Sequence, residues 1–237
     1  MLENLILPND GSFKEMIHGR TIALIGPANS LRNKGDYINS KETVCRVNRM
    51  VLYEDLKEHY GNRCDILFHH GGLKNSGLPI YEELKHELNI EKPKMIFFVR
   101  SIVMNDIYSD ICTVNNIHFA ISGQQCKNSL HKTLPHGSSG MWALMLLIKM
   151  QPKNIFMGGF DFYQNPECYY KSPFDFGIYT EIKNKDYNGK DVIDNHYGHN
   201  MIEQIKFFER LYSTYKDIIE LDDFLQNDLI GNICKRI

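Results

Sequence analysis

No stretch of this sequence is apolar for long enough to cross a membrane. Its most apolar run, Met141 to Ile148, is closed by Lys149, far short of the roughly 20 residues a span needs. Met1 to Asp10 has no basic flank and only a short apolar patch, so a signal peptide is not expected there. These absences lead to the expectation of a cytoplasmic protein, at most peripheral to a membrane. An excess of one charge is also missing: 27 Lys and Arg stand against 29 Asp and Glu, a net charge of −2. Nucleic acid is therefore not an expected partner, and an anionic ligand would need a local site. The six cysteines (Cys45, Cys64, Cys112, Cys126, Cys168 and Cys234) include no C-x-x-C pair. That argues for reduced thiols rather than a zinc site or a disulfide framework. There are no internal repeats, low-complexity tracts or Pro-rich linkers, and residues 1–237 read as a single domain. Neither G-x-G-x-x-G nor G-x-x-x-x-G-K-[ST] occurs, which removes two familiar nucleotide fingerprints.

What is present is an alternation of short apolar runs and helical patterns. Thr21 to Gly26, Thr43 to Val47, Asp65 to Phe68, Met95 to Val99, His118 to Ile121, Asn154 to Met157 and Ile218 to Leu221 read as strands. Tyr53 to Tyr60, Tyr81 to Leu88, Ser139 to Met150 and Asn200 to Tyr215 read as helices. The last carries apolar residues at Ile202, Ile205, Phe208 and Leu211, the spacing of one helix face. Such alternation predicts an α/β fold with a Rossmann-like, mostly parallel sheet flanked by helices. Ligands in such sheets sit at the carboxyl ends of the strands. One stretch breaks the pattern: residues 164–195 hold Tyr169, Tyr170, Tyr179 and Tyr187 among Asn, Lys, Asp, Pro and Gly. A loop of that length inside a compact domain is either functional or disordered; its aromatic content points to a mobile Tyr-rich lid.

Four segments carry candidate chemistry, each beside a plainer reading. Gly26-Pro27-Ala28-Asn29-Ser30 ends the first strand at a nucleotide-site position, or is a simple strand-to-helix turn. Ser138, Ser139 and Gly140 open a strong helix, where serines cap it or where free N–H groups and hydroxyls hold a phosphate or base edge. Gly158-Gly159-Phe160-Asp161 follows a strand; the glycines permit close approach to a ligand and Asp161 suits ribose hydroxyls, unless the segment is a tight turn with a capping Asp. His196-Tyr197-Gly198-His199 with Glu203 is the densest polar cluster. His199 and Glu203, four apart, share a face if the helix begins at His199. They read as a general base oriented by a carboxylate. Alternatively, His196, His199 and Glu203 bind a metal with His69 or His70 as further ligands, or the histidines are structural.

In order along the chain, these pieces resemble the sialyltransferases, glycosyltransferase families twenty-nine and forty-two. Gly26 to Leu31 with Arg46-Val47-Asn48 is similar to the large sialyl motif. Ser138-Ser139-Gly140 and its helix, running to Gly159, are similar to the small motif, and His199-x-x-x-Glu203 to the last one. Gly159-Phe160-Asp161-Phe162-Tyr163, a second tyrosine at Tyr169, and a long segment ending in His196-Tyr197-Gly198-His199 resemble the bacterial family in particular. The resemblance implies transfer of a sugar acid from a CMP-activated donor to a glycan hydroxyl, with CMP-sialic acid the first choice of donor and CMP-Kdo the second. It implies His199 as the base and Tyr163 and Tyr169 as donors to the departing phosphate. Gly26, Asn29, Ser30, Asn48, Ser138, Ser139, Gly140, Gly159, Phe160 and Asp161 would bind the donor. His69, His70, His136 and Glu203 would face the sugar or the acceptor. Pro27, His70 and His136 stand where family members carry Asn, Asn and Arg, and Asn29 is the candidate replacement at the first of these.

No cofactor and no metal are implied. A CMP-sugar leaves as a phosphate monoester, whose charge tyrosine hydroxyls and a helix N-terminus can stabilise. The sequence has no Asp-x-Asp; the nearest approach is Glu220-Leu221-Asp222. A non-catalytic CMP-binding module on the same fold is the alternative. The acceptor, the linkage and homo-oligomerisation stay open.

Overall fold

The computed structural model describes residues 1–50, 54–70, 77–100, 106–162 and 201–233. Seven strands form one sheet: β1 Thr21–Ile25, β2 Thr43–Val47, β3 Ile66–His69, β4 Met95–Phe98, β5 His118–Ile121, β6 Asn154–Gly158 and β7 Ile219–Leu221. Every pairing is parallel, in the order β5-β4-β3-β2-β1-β6-β7. Parallel strands are covered on both faces, so they are written as nearly unbroken apolar runs. β4 (Met-Ile-Phe-Phe) is buried at every position.

The two faces alternate along each strand. Ile22 and Leu24 of β1, Cys45 and Val47 of β2, and Ile66 and Phe68 of β3 face the main core. Their neighbours Ala23 and Ile25 pack with Val44 and Phe156 on the opposite side, under Ile38 and Tyr60. Leu67, Ile96 and Phe98 on that side are covered by Leu84, Leu88, Ile111 and Cys112. The main core is roofed by α1 (Gly11–Ile17), α6 (Gly123–Thr133), α7 (Ser139–Lys149) and α8 (Met201–Tyr215). On the other face lie α2 (Gly35–Asn39), α3 (Lys57–Tyr60), α4 (Gly77–Ile90) and α5 (Asp106–Asn115). A π-helical segment, Phe224–Ile233, ends the described chain.

α7 is the central helix. Every residue from Ser139 to Ile148 is buried, as expected of a helix apolar all round. α1 starts where the Asp10 carboxylate accepts the Phe13 N–H at 2.8 Å, a cap for one orphan amide of the first turn. Phe13 then packs its ring on Phe97 at 4.6 Å and Phe68 at 5.9 Å.

Most differences from the sequence reading are at helices. The expected Tyr53 to Tyr60 helix is a 3₁₀ turn, Glu54–Leu56, running into α3. α4 is longer than Tyr81 to Leu88, because Pro79 falls in its first turn, where a missing N–H costs no helical bond. No helix among the described residues is long and apolar enough to cross a membrane. The expected lid, 164–195, lies outside the described residues.

The sheet order reverses beside β1. From β1 the chain builds outward to β5, then returns to place β6 against the other flank of β1. A crevice forms at the carboxyl end of such a switch point, where the loops leave in opposite directions.

Candidate functional site

The loops after β1 and β6 stay joined beyond the strands. Gly26 N–H donates to the Gly158 carbonyl at 2.9 Å, and Ala28 N–H to the Gly159 carbonyl at 2.9 Å. Gly159 takes φ +71°, and a Cβ there would lie 2.5 Å from the Gly26 oxygen. A Cβ on Gly26 would overlap the Gly159 oxygen and sit 2.8 Å from Phe160. A Cβ on Gly140 would lie 2.5 Å from the same Phe160 ring. Three segments far apart in sequence thus meet around Phe160. Backbone packed on backbone requires Gly26 and Gly159, and the Phe160 ring requires Gly140, whatever ligand the crevice takes.

Two polar atoms near this junction have no partner among the described residues: Ser30 Oγ in the loop after β1, and Asn48 Oδ1 just past β2. Both are buried. Asn48 holds φ +61°, a left-handed conformation that asparagine tolerates better than most residues. Its N–H is fixed to the Phe68 carbonyl at 2.7 Å. Native proteins leave few buried polar atoms unpaired, so both oxygens are available to a ligand. Asn29 is engaged locally, its Oδ1 accepting from Arg32 Nη1 at 3.3 Å.

Ser138 is the N-cap of α7, accepting the Met141 N–H at 3.3 Å. Its own N–H donates to Gln204 Oε1 at 2.8 Å. Gln204 is 1% exposed on α8, so the first turn of α8 is tied to the start of α7. Glu203, one residue earlier, is exposed. Asp161 is 4% exposed, and the ring of the following Phe162 packs tilted against Phe208 of α8 at 5.3 Å. Asp222 supports the turn from beneath. Its carboxylate accepts the Gly159 N–H at 2.8 Å and the Leu225 N–H at 2.8 Å, while burial raises its pKa. Glu220, two residues before it in the nearest approach to Asp-x-Asp, is exposed and accepts from the Tyr37 hydroxyl.

A second cluster lies past β3 and β4. His69 is fully buried and His70 half-buried, with ring centroids 4.9 Å apart. Burial, then the neighbouring His70, pushes His69 well down. Burial, then the Arg100 charge, brings His70 down to about 4. Arg100 stacks on Trp142, 4.8 Å from its ring centroid, and donates to the Gly137 carbonyl. His136 is exposed at φ +56°, 5.5 Å from the His131 ring.

The neutral His70 has a measurable consequence. Unfolded, an imidazole takes up its proton near about pH 6.5; folded, His70 does so near about 4. The unfolded chain therefore binds an extra proton between these values. Stability from this neutral ring is complete above the unfolded value and is lost as pH falls toward 4, by about 3 kcal/mol. Urea midpoints from pH 7 to 4.5 should fall less steeply in His70→Asn than in wild type; equal slopes would remove His70 as a source.

Arg46, from the expected large motif, has a structural part. It is fully buried, donating to the Arg63 carbonyl at 2.8 Å and the Tyr60 carbonyl at 2.7 Å. Burial lowers its pKa to about 10. His199, Tyr163 and Tyr169, expected to do the chemistry, lie outside the described residues, as does His196. Among the described residues no group of three or more His, Cys, Asp and Glu side chains is placed to hold a metal ion. Sequence reasoning missed Arg100, Gln204 and Asp222. Arg100 and Asp222 are the first charged residues past the carboxyl ends of β4 and β7, and Gln204 interrupts the apolar face of α8; those positions were the available signals.

No family model matches the chain, and no curated protein matches it. Solved structures do. The monofunctional alpha-2,3-sialyltransferase Cst-I from Campylobacter jejuni aligns over 98% of this chain and 86% of its own, with a TM-score of 0.56 and 19% identity. The chain is similar to Cst-I in fold across nearly its whole length.

Proposed function

We propose that this protein is an inverting glycosyltransferase that moves a sugar acid, sialic acid first and Kdo second, from a CMP donor to a glycan hydroxyl. The observation that carries the reading is the convergence of Gly26, Gly140 and Gly159 around Phe160 at the β1/β6 switch point, beside the unpartnered Ser30 and Asn48 oxygens. The fold likeness to a sialyltransferase supports the same class.

The nucleotide would lie across the carboxyl ends of β1, β2 and β6. Ser30 Oγ can donate to or accept from base and ribose edges, Asn48 Oδ1 can accept from them, and buried Asp161 suits ribose hydroxyls. The α7 N-terminus, with Ser138 and Ser139, carries the partial positive charge that favours a phosphate. His199 takes the proton from the acceptor hydroxyl as that oxygen attacks the anomeric carbon. The bond from that carbon to the CMP phosphate breaks, and Tyr163 and Tyr169 donate hydrogen bonds to the departing oxygens. Attack from the face opposite the leaving group inverts the centre. No step calls for a metal.

The direct test is CMP release by the purified protein in EDTA, with CMP-sialic acid and CMP-Kdo supplied in parallel. Release from one donor supports the class and identifies the acid. Release from neither, with a thermal shift in CMP, would mark a nucleotide-binding module instead; no release and no shift would end the donor reading. Tyr163→Phe should then slow turnover by about tenfold or more while leaving the melting temperature unchanged, since one charge-assisted bond to the leaving group contributes about 1.5–3 kcal/mol. Unchanged turnover would take Tyr163 out of the leaving-group role.

A further inference from the structure

We propose that Glu87 is a positioning residue for the donor site: its carboxylate clamps the turn after β2, so that the Asn48 side chain is held in place for the nucleotide. The inference rests on the CMP-donor reading, in which Asn48 contacts the donor, and deepens it.

The turn is an uncommon one. Asn48 N–H donates to the Phe68 carbonyl at 2.7 Å, one step beyond the last residue of β2. The chain then turns within three residues: Arg49 N–H donates to the Val47 carbonyl at 2.7 Å, with Asn48 between them at φ +61°. A three-residue turn closed in this way around a positive φ is rare and strained. Such a conformation persists only where its surroundings over-determine it, and it clusters at ligand sites.

What holds it is a buried carboxylate. Glu87 Oε1 accepts the Met50 N–H at 2.8 Å, directly after the turn. Glu87 is 1% exposed on α4, where Leu84 and Leu88 share one apolar cluster with Met50. A carboxylate is costly to bury in such surroundings unless it is bonded and its charge is answered. Fully buried Arg46 answers it, since the Glu87 charge is felt at its guanidinium. Arg46 and Met50 stand two residues either side of Asn48. An apolar side chain would suit this cluster better than a carboxylate, so Glu87 serves the turn rather than the core. The turn is held at its entry by Phe68 and at its exit by Glu87, both through the backbone. Each N–H from Asn48 to Met50 is used in that way. The Asn48 side chain takes no part in it, and its buried Oδ1 has no partner among the described residues.

The test measures CMP binding by wild type and variants. Asn48→Ala should weaken CMP by about three- to tenfold, the effect of one hydrogen bond. Glu87→Leu should weaken it by a similar factor. The double variant Glu87→Leu/Asn48→Ala should bind no more than about twofold worse than Asn48→Ala, because Glu87 acts through Asn48. Glu87→Gln keeps an acceptor for the Met50 N–H and should bind CMP within about twofold of wild type. A role in stability alone would instead lower the Tm of both Glu87 variants and leave CMP affinity unchanged. Should Glu87→Leu not fold, Arg46→Met/Glu87→Leu, which leaves neither charge buried alone, takes its place. Hydrogen exchange at the Met50 amide reads the clamp without a ligand: faster in Glu87→Leu, near wild type in Glu87→Gln. Full additivity in the double variant, or wild-type affinity in Glu87→Leu, would overturn the proposal and leave the donor reading standing. Wild-type affinity in Asn48→Ala would overturn it too. If wild-type protein binds no CMP, the donor reading fails, and Met50 exchange then decides the clamp by itself: unchanged exchange in Glu87→Leu overturns it, faster exchange upholds it.

Discussion

His199→Ala should lower turnover at least about 100-fold, the usual cost of removing a positioned general base. The acceptor hydroxyl is a poor nucleophile near neutral pH, and an imidazole near its ordinary pKa of about 6.5 is well matched to take its proton. The donor's KM should change little, because the atoms offered to the nucleotide come from the loops after β1, β2 and β6 and from the start of α7. The pH profile makes the test sharper. With His199 as the base, kcat/KM rises with pH on an acid limb near about 6.5, and the variant's residual rate lacks that limb. His70 cannot mimic the limb, since burial has already moved it to about 4. A variant that keeps more than about a tenth of wild-type turnover, or an acid limb that survives the substitution, would mean another group takes the proton.

The sheet was legible because its strands are written without compromise. The central strands are buried at nearly every position, so their apolar and β-branched runs stand out, and β2 and β5 have the bounds the sequence predicts. β3, read as Asp65 to Phe68, starts one residue later and runs on through His69, a polar residue at zero exposure. The helices were less legible where tertiary packing replaces periodicity. α6 reads Gly-Gln-Gln-Cys-Lys-Asn-Ser-Leu-His-Lys-Thr and buries only Cys126, Ser129 and Leu130, too thin an apolar stripe to register. α1 carried a signal that was passed over: Asp10 before Phe13 and Ile17, a cap followed by an i, i+4 pair. The short glycine and serine motifs lie just past β1 and β6 and at the start of α7, where backbone demands leave few choices of residue. Arg100, Gln204 and Asp222 were invisible for the opposite reason. Each acts on the backbone of a distant segment, at Gly137, Ser138 and Gly159, and no local pattern encodes a partner that far along the chain.

Gly159→Ala should lower stability by about 3 kcal/mol or more and weaken CMP binding by at least about tenfold. Two costs combine. Alanine at φ +71° is strained by about 1–2 kcal/mol. Its Cβ would also sit 2.5 Å from the Gly26 carbonyl oxygen, an overlap of the kind that costs about 1–3 kcal/mol in a packed interior. That oxygen cannot retreat cheaply. The Gly26 N–H is bonded to Gly158, Ala28 N–H to Gly159, and Asp222 grips the Gly159 N–H from the other side. The strain must instead open the β1/β6 junction, which is why binding and stability should fall together. Gly123 supplies the control. It has nearly the same φ, +70°, with nothing within 4 Å of a Cβ, so Gly123→Ala isolates the backbone strain. For a chain of this length each kcal/mol moves Tm by about 2–4 °C. Gly159→Ala should therefore melt several degrees below Gly123→Ala, and Gly123→Ala should bind CMP like wild type. Equal melting temperatures for the two variants would mean that the junction yields to a Cβ. The close approach of the two loops would then not be what holds the crevice in shape.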